Sequence, residues 1–232
     1  MDRRHFTSVS MLALLSASVL QRAYALTLSD LSNADATKGL KTALEKGALS
    51  AIGILGAQDG FLGNDSVRIA LPGALNDVAN LMRRFGQGAR VDELVTAMNR
   101  GAEAAMPMAK DLLVNAVQSM SVTDAKGILS GGDTAATDFF ASKTRPALAV
   151  KFLPVVRQAT EKLGFAGKYN AVAGKAAEWG LLKKEDANIQ QYVTTKALDG
   201  LFFTISEEEK KIRQNPVGYG SAILTKVFGA IR

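Results

Sequence analysis

The chain has 232 residues, 47% of them apolar, 22% charged and 6% aromatic, with a formal net charge of +6, one histidine and no cysteine. That composition is globular and excludes disordered, collagen-like and disulfide-stapled chains. A basic excess this mild gives no reason to expect a nucleic-acid partner.

The N-terminus runs Met1-Asp2-Arg3-Arg4-His5-Phe6, then a Ser-dotted apolar stretch from Val9 to Leu20, then Ala23-Tyr24-Ala25. A short basic head, an apolar run too short to span a bilayer and a small-x-small end are the three parts of an export signal. The expectation is cleavage after Ala25, leaving residues 26–232 as a single all-helical domain in the periplasm. Arg3-Arg4-His5-Phe6 also resembles a twin-arginine signal, with Asp2 where Ser or Thr is usual, so both the general and the twin-arginine routes stay open.

Cleavage removes His5, the sole histidine. Without imidazole or thiol, Ser-His-Asp and Cys-His nucleophile systems close, as do zinc, haem, iron–sulfur and Glu-x-x-His diiron sites of the usual kinds. No cofactor and no metal is expected, and no transmembrane segment is expected after cleavage. Carboxylate pairs, Lys or Tyr bases and oxygen-held cations survive as possibilities.

From Asn33 to Leu55, a cap at Asn33 or Asp35 and apolar positions Leu40, Leu44, Ala48 and Ile52 predict a helix that Gly47 and Gly53 weaken without breaking. Gln58 to Asp65 is a turn cluster, and the alternation Val67-Arg68-Ile69-Ala70-Leu71 predicts a short strand or extended passage ending at Pro72. A helix then runs from Pro72 to Phe85 and stops at Gly86. Val91, Leu94, Val95, Met98, Ala102, Ala105 and Met106 lie on one helical face, Pro107 kinks or divides that helix, and the pattern resumes at Leu112.

Ser121 caps a short helix ending before Gly131-Gly132, and Asp133 is the predicted cap of a helix carrying Phe139 and Phe140. Another helix is expected from Thr144 or Arg145 to Leu163, bent at Pro154. Ile189, Val193, Ala197, Leu201 and Ile205 mark what reads as the longest helix, Asn188 to Arg213, closing with i, i+4 pairs Glu207–Lys211 and Glu209–Arg213. After Pro216 comes a final amphipathic helix with Ile223, Leu224, Val227, Phe228 and Ile231. The fold class is therefore all-α, with eight to ten helices and one short extended element near Val67–Leu71.

Several stretches together resemble the bacterial exported proteins grouped as domain of unknown function 4197. They include Leu28-Ser29-Asp30-Leu31-Ser32-Asn33, Asp59-Gly60-Phe61-Leu62-Gly63-Asn64 with Val67-Arg68-Ile69, and Met98-Asn99-Arg100-Gly101-Ala102-Glu103. Further on are Ala125 to Thr137, Lys151-Phe152-Leu153-Pro154 and Tyr192 to Phe202. The resemblance spans nearly all of the mature chain and implies a helical, exported protein. It brings no activity, cofactor or catalytic residue with it.

Two constellations stand out as candidate ligand-binding groups. Asn99, Arg100 and Glu103 sit on one helix, with Arg100 and Glu103 away from its apolar stripe. They read either as a solvated face or, because Ala97, Gly101 and Ala104 let a second helix approach, as a buried charge pair. Lys196 and Asp199 stand one turn apart beside Tyr192, Leu201, Phe202 and Phe203, as an ion pair fixing helix register or as a lysine base. Gly131-Gly132-Asp133-Thr134 reads as a helix stop and cap rather than an anion nest. Asp59, Asn64 and Asp65 lack EF-hand spacing, and the Gly-x-Gly strings lack a dinucleotide fingerprint.

The leading functional expectation is a non-enzymatic periplasmic module that binds an envelope component or small ligand. The alternative is a carboxylate-dependent glycan hydrolase or lyase on an all-α scaffold, with Glu103 and Asp199 as first candidates. A third reading is membrane-surface contact through the amphipathic helix at Ile223–Ile231.

Overall fold

The computed structural model describes residues 33–161 and 166–215. The export signal and the amphipathic segment Ile223–Ile231 lie outside the described residues.

The helices are α1 (Asn33–Gly56), α2 (Gly73–Arg84), α3, α4 (Val122–Ser130), α5 (Ala135–Glu161), α6 (Ala166–Glu178) and α7 (Ile189–Gln214). Helix α3 runs in two halves, Gly88–Ala105 and Lys110–Gln118, joined by a 3₁₀ turn at Met106–Ala109 that contains Pro107. Counting that interrupted run once, the described residues carry seven helices where eight to ten were expected, and they contain no strand. No helix among them is long and apolar enough to cross a membrane.

The two helices expected around Phe140 and from Arg145 are one, and at 27 residues α5, not α7, is the longest described helix. Ala136, Phe140, Thr144, Leu148, Phe152, Val156 and Thr160 are buried at four-residue intervals, whereas Pro146 and Pro154 are exposed. A proline on the solvent face frees its i−4 carbonyl toward water, so the helix continues through both positions instead of ending. At about 100° per residue a four-residue spacing rotates by about 40° per step, and the buried stripe winds around the helix. The N-terminal half accordingly meets α7 and the C-terminal half meets α3, where Val156 and Ala159 lie over Gly101.

Helix α7 is buried on most sides, between α1 and α5. Its predicted stripe of Ile189, Val193, Ala197, Leu201 and Ile205 is fully in the core. Thr194 and Thr204 face inward and donate their hydroxyls to the carbonyls of Gln190 and Gly200 four residues back, which lets them be buried without orphaned polar groups. Gly47 of α1 lies against Ile212, where an added Cβ would come within 3.2 Å of its side chain.

Helix ends follow local chemistry in places and tertiary contacts in others. Gly86, at φ +76°, closes α2 with Gln87 N–H donating to Met82 O and Gly86 N–H to Arg83 O, the glycine stop the sequence predicts. Ser121 and Asp124 form a reciprocal capping box at α4. Asp133 was the expected cap of α5, but the N–H groups of Ala136 and Thr137 donate to Glu209 of α7. Asn188 caps α7 through Gln191 N–H, and Asn170 of α6 accepts from Ile189 N–H.

Candidate functional site

Residues 57–72 link α1 to α2 without forming a helix or strand, and most of the polar candidates converge on this passage. Asp59 is left-handed at φ 64°, a conformation Asp tolerates through its short polar side chain. Gly60 follows with no room for a Cβ, which would meet Ile54 O at 2.4 Å. Asn64 organises the turn: its carbonyl accepts from the N–H groups of Val67 and Arg68, and its side chain accepts from Ser66 N–H.

Glu103 holds the tip of this passage. Its Oε1 accepts from the N–H groups of Phe61 and Leu62, both at 3.1 Å, while its Oε2 accepts from Arg100 Nη1 at 2.6 Å. Arg100 Nη2 donates to Asp59 Oδ1 at 2.8 Å, closing a network of two carboxylates and one guanidinium. The bonds to Glu103 and Asp59 hold the Arg100 pKa above its ordinary value. Glu103 is 5% exposed while Arg100 stays about one-third exposed, so the pair is half-buried rather than a solvated face. The predicted close approach is also present at Gly101, where a Cβ would lie 3.1 Å from that of Ala159.

Asn99, fully buried, grips the other end. Its Oδ1 accepts from Ile69 N–H at 2.9 Å, and its Nδ2 donates to Ile69 O at 2.9 Å and Val95 O at 2.8 Å. These are the two backbone groups that a neighbouring strand would engage, so a side-chain amide stands in for a sheet partner. The predicted alternation survives without a strand: Val67, Ile69 and Leu71 are buried, Arg68 and Ala70 exposed.

The passage rests on α7. Phe61 packs over Gly200, where a Cβ would sit 2.7 Å from the ring, and Tyr192 donates its hydroxyl to Ala70 O at 2.8 Å. Between passage and helix runs a groove of about 390 Å³ lined by Arg68, Ile69, Tyr192, Lys196, Asp199 and Phe203 among others. A second hollow of about 510 Å³ shares Tyr192, Lys196 and Asp199 and extends to Leu181 and Asp186. Burial, with the nearby Asp186 charge, pushes the Tyr192 phenol up to about 12 and leaves it neutral.

Lys196 and Asp199 are about half exposed, with Nζ and Oδ2 3.8 Å apart. Asp199 has a nearer partner in Arg145 of α5, at 3.0 Å, and Arg145 also lies over the Phe202 ring. The predicted pair therefore forms part of a three-residue surface cluster rather than a closed unit. The two ligand candidates separate accordingly: Asn99, Arg100 and Glu103 hold backbone, whereas Lys196 and Asp199 line open space.

This geometry bears on the carboxylate-pair alternative. Both oxygens of Glu103 are taken up by Phe61 N–H, Leu62 N–H and Arg100, so the carboxylate is turned toward the backbone it holds and away from the groove that Asp199 lines. Asp59 faces Arg100 and Asn64 faces Ser66 N–H, and among the described residues no group of three His, Cys, Asp or Glu side chains could hold a metal ion.

Sequence reading missed Glu209 as more than a surface charge. It is 5% exposed and takes Ala136 N–H, Thr137 N–H and the Thr137 hydroxyl, while Arg213 donates to it and to Ile128 O at the end of α4. That pair ties three helix ends together. The other expected pair re-forms one residue closer, as Glu207 with Lys210 and Glu208 with Lys211. Arg68 was also passed over, although it is one of the two outward positions of an alternating segment.

A family model described as protein of unknown function (DUF4197) matches residues 30–229. No curated protein and no solved structure matches the chain.

Proposed function

The chain belongs to the DUF4197 family of proteins of unknown function, and for it we propose a non-enzymatic binding module of the bacterial cell envelope. The observation that carries this reading is the groove between residues 66–70 and α7. Its outer wall has no strand or helix to stiffen it, yet Asn99 and Tyr192 hold that wall by three hydrogen bonds to its backbone, and Glu103 holds the same passage upstream by two more, at Phe61 and Leu62. Preorganisation of this kind lowers the ordering penalty of binding. Lys196 and Asp199, with Tyr192, stand at its inner wall.

Location in the periplasm rests on the N-terminal pattern of Arg3-Arg4, an apolar run and Ala23-Tyr24-Ala25. N-terminal sequencing of protein recovered from cells should begin at Leu26, and retention of His5 would remove the periplasmic part of the proposal. The binding part is tested by thermal stabilisation of the purified mature protein against envelope lipids, peptidoglycan fragments and small metabolites. A stabilising compound should also slow hydrogen exchange at residues 66–70 and 192–203. Indifference to the whole panel, or protection elsewhere, would overturn it.

A further inference from the structure

The charges around the groove do not balance. Asp199 is its one carboxylate, and that group is already engaged by Arg145 at 3.0 Å and Lys196 at 3.8 Å. Arg68, exposed on the facing wall, makes no side-chain hydrogen bond or ion pair among the described residues. Its backbone position is nonetheless set, since Arg68 N–H donates to Asn64 O and the adjoining Ile69 is held by Asn99. A guanidinium on a fixed wall loses less freedom on pairing than one on a mobile loop.

Between Arg68 and Lys196 the lining is mixed, and its apolar part forms one patch. Val67, Ile69, Ala70 and Gly200 line it, and Phe203 leaves 45% of its surface exposed. A space of about 390 Å³ suits a small molecule and not a folded partner. Lys196 Nζ also lies 5.9 Å from the centre of the Tyr192 ring, within cation–π range.

Resting on the reading that this groove binds a ligand, we propose that the ligand is an amphiphilic anion. A carboxylate or phosphate group pairs with Arg68 and Lys196, and an apolar chain or ring covers Phe203 and the floor beside Gly200. Cationic and neutral amphiphiles gain the apolar contact but leave Arg68 without a counter-charge and Lys196 with only the Asp199 carboxylate that Arg145 shares. Free single-chain acids and the headgroups of anionic lipids share this chemistry.

The test is calorimetric titration of the mature protein with decanoate and decyl phosphate below their micelle concentrations, against decyltrimethylammonium and decanol. Binding to phosphatidylcholine vesicles with and without phosphatidylglycerol is measured in parallel. The anions should bind in preference, and Arg68→Ala and Lys196→Ala should each weaken them about tenfold, with Arg68→Lys retaining part of the affinity. Binding of monomeric anions alone supports a free amphiphile; Arg68-dependent binding restricted to phosphatidylglycerol vesicles supports a lipid headgroup. Equal binding of decanol or decyltrimethylammonium, or no effect of Arg68→Ala, would overturn the anion assignment while leaving the groove as a binding site. If none of the probes of any charge, vesicles included, perturbs residues 66–70 and 192–203, this proposal falls, and the wider reading then stands or falls on its own panel.

Discussion

Arg100–Glu103 on α3 and Lys196–Asp199 on α7 are the same device in sequence, a cation and a carboxylate three residues apart on a helix. Their surroundings give them opposite roles. Glu103 is enclosed by α3 and the 57–72 passage, so its oxygens meet backbone N–H groups and a guanidinium and the carboxylate becomes a structural joint. Asp199 lies on the rim of a groove, in reach of two cations and of water. The spacing that identifies an ion pair says nothing about whether it is a joint or a binding surface; what closes over it decides.

That contrast can be broken most sharply at Glu103. Glu103→Ala leaves two backbone donors and Arg100 without their acceptor, and equilibrium urea unfolding should show a loss of about 3–5 kcal/mol. Asn99→Ala comes next at about 2–3 kcal/mol, because a buried N–H and C=O of Ile69 lose their partners together. Hydrogen exchange should localise the opening to residues 59–71 in both variants, and an even loss of protection across the molecule would contradict the joint. Gly200→Ala, which sets a methyl group against the Phe61 ring, should cost about 1–3 kcal/mol through displacement of the same passage.

A smaller effect appears only at alkaline pH. The Tyr192 phenol ionises near 10 in the unfolded chain and is held up to about 12 in the fold by burial and the Asp186 charge. The stability this contributes is complete below pH 10 and is lost as pH rises toward 12, with Tyr169, raised by burial in the same direction, adding to it. Tyrosinate absorbance should therefore rise together with loss of helical signal, and ionisation of both residues well before unfolding would refute the coupling. The smallest effect belongs to the open pair: Lys196→Ala or Asp199→Asn should shift stability by no more than about 0.5 kcal/mol in the same urea experiment. A large loss there would mean that the two pairs are not so different after all.

Much of the fold is legible in the chain because it depends on local pattern. The stripes at Val91–Met106 and Ile189–Ile205, the glycine stop at Gly86 and the Ser121 cap each involve residues within a few positions of one another. The misreadings involve partners far along the chain. Asp133 has the chemistry of a cap, but Glu209, more than seventy residues away, takes the N–H groups of α5. Pro146 resembles a helix start, and only its position on the solvent side of α5 lets the helix run through it. Of the candidate site, Lys196 and Asp199 were recognisable as an apolar helix's exceptional charges, whereas Arg68 reaches the same groove, and Arg145 its Asp199, from elsewhere in the sequence.

Composition and periodicity by themselves determined that this chain folds as helices around an apolar core and, if the export signal is removed, works without imidazole or thiol. Those properties follow from residue identity and from spacings of three and four. Tertiary structure alone decided which polar groups are enclosed and which remain open to a ligand. Burial is set by what packs across a helix from distant parts of the chain, and the worth of a charge changes severalfold with the dielectric that packing creates.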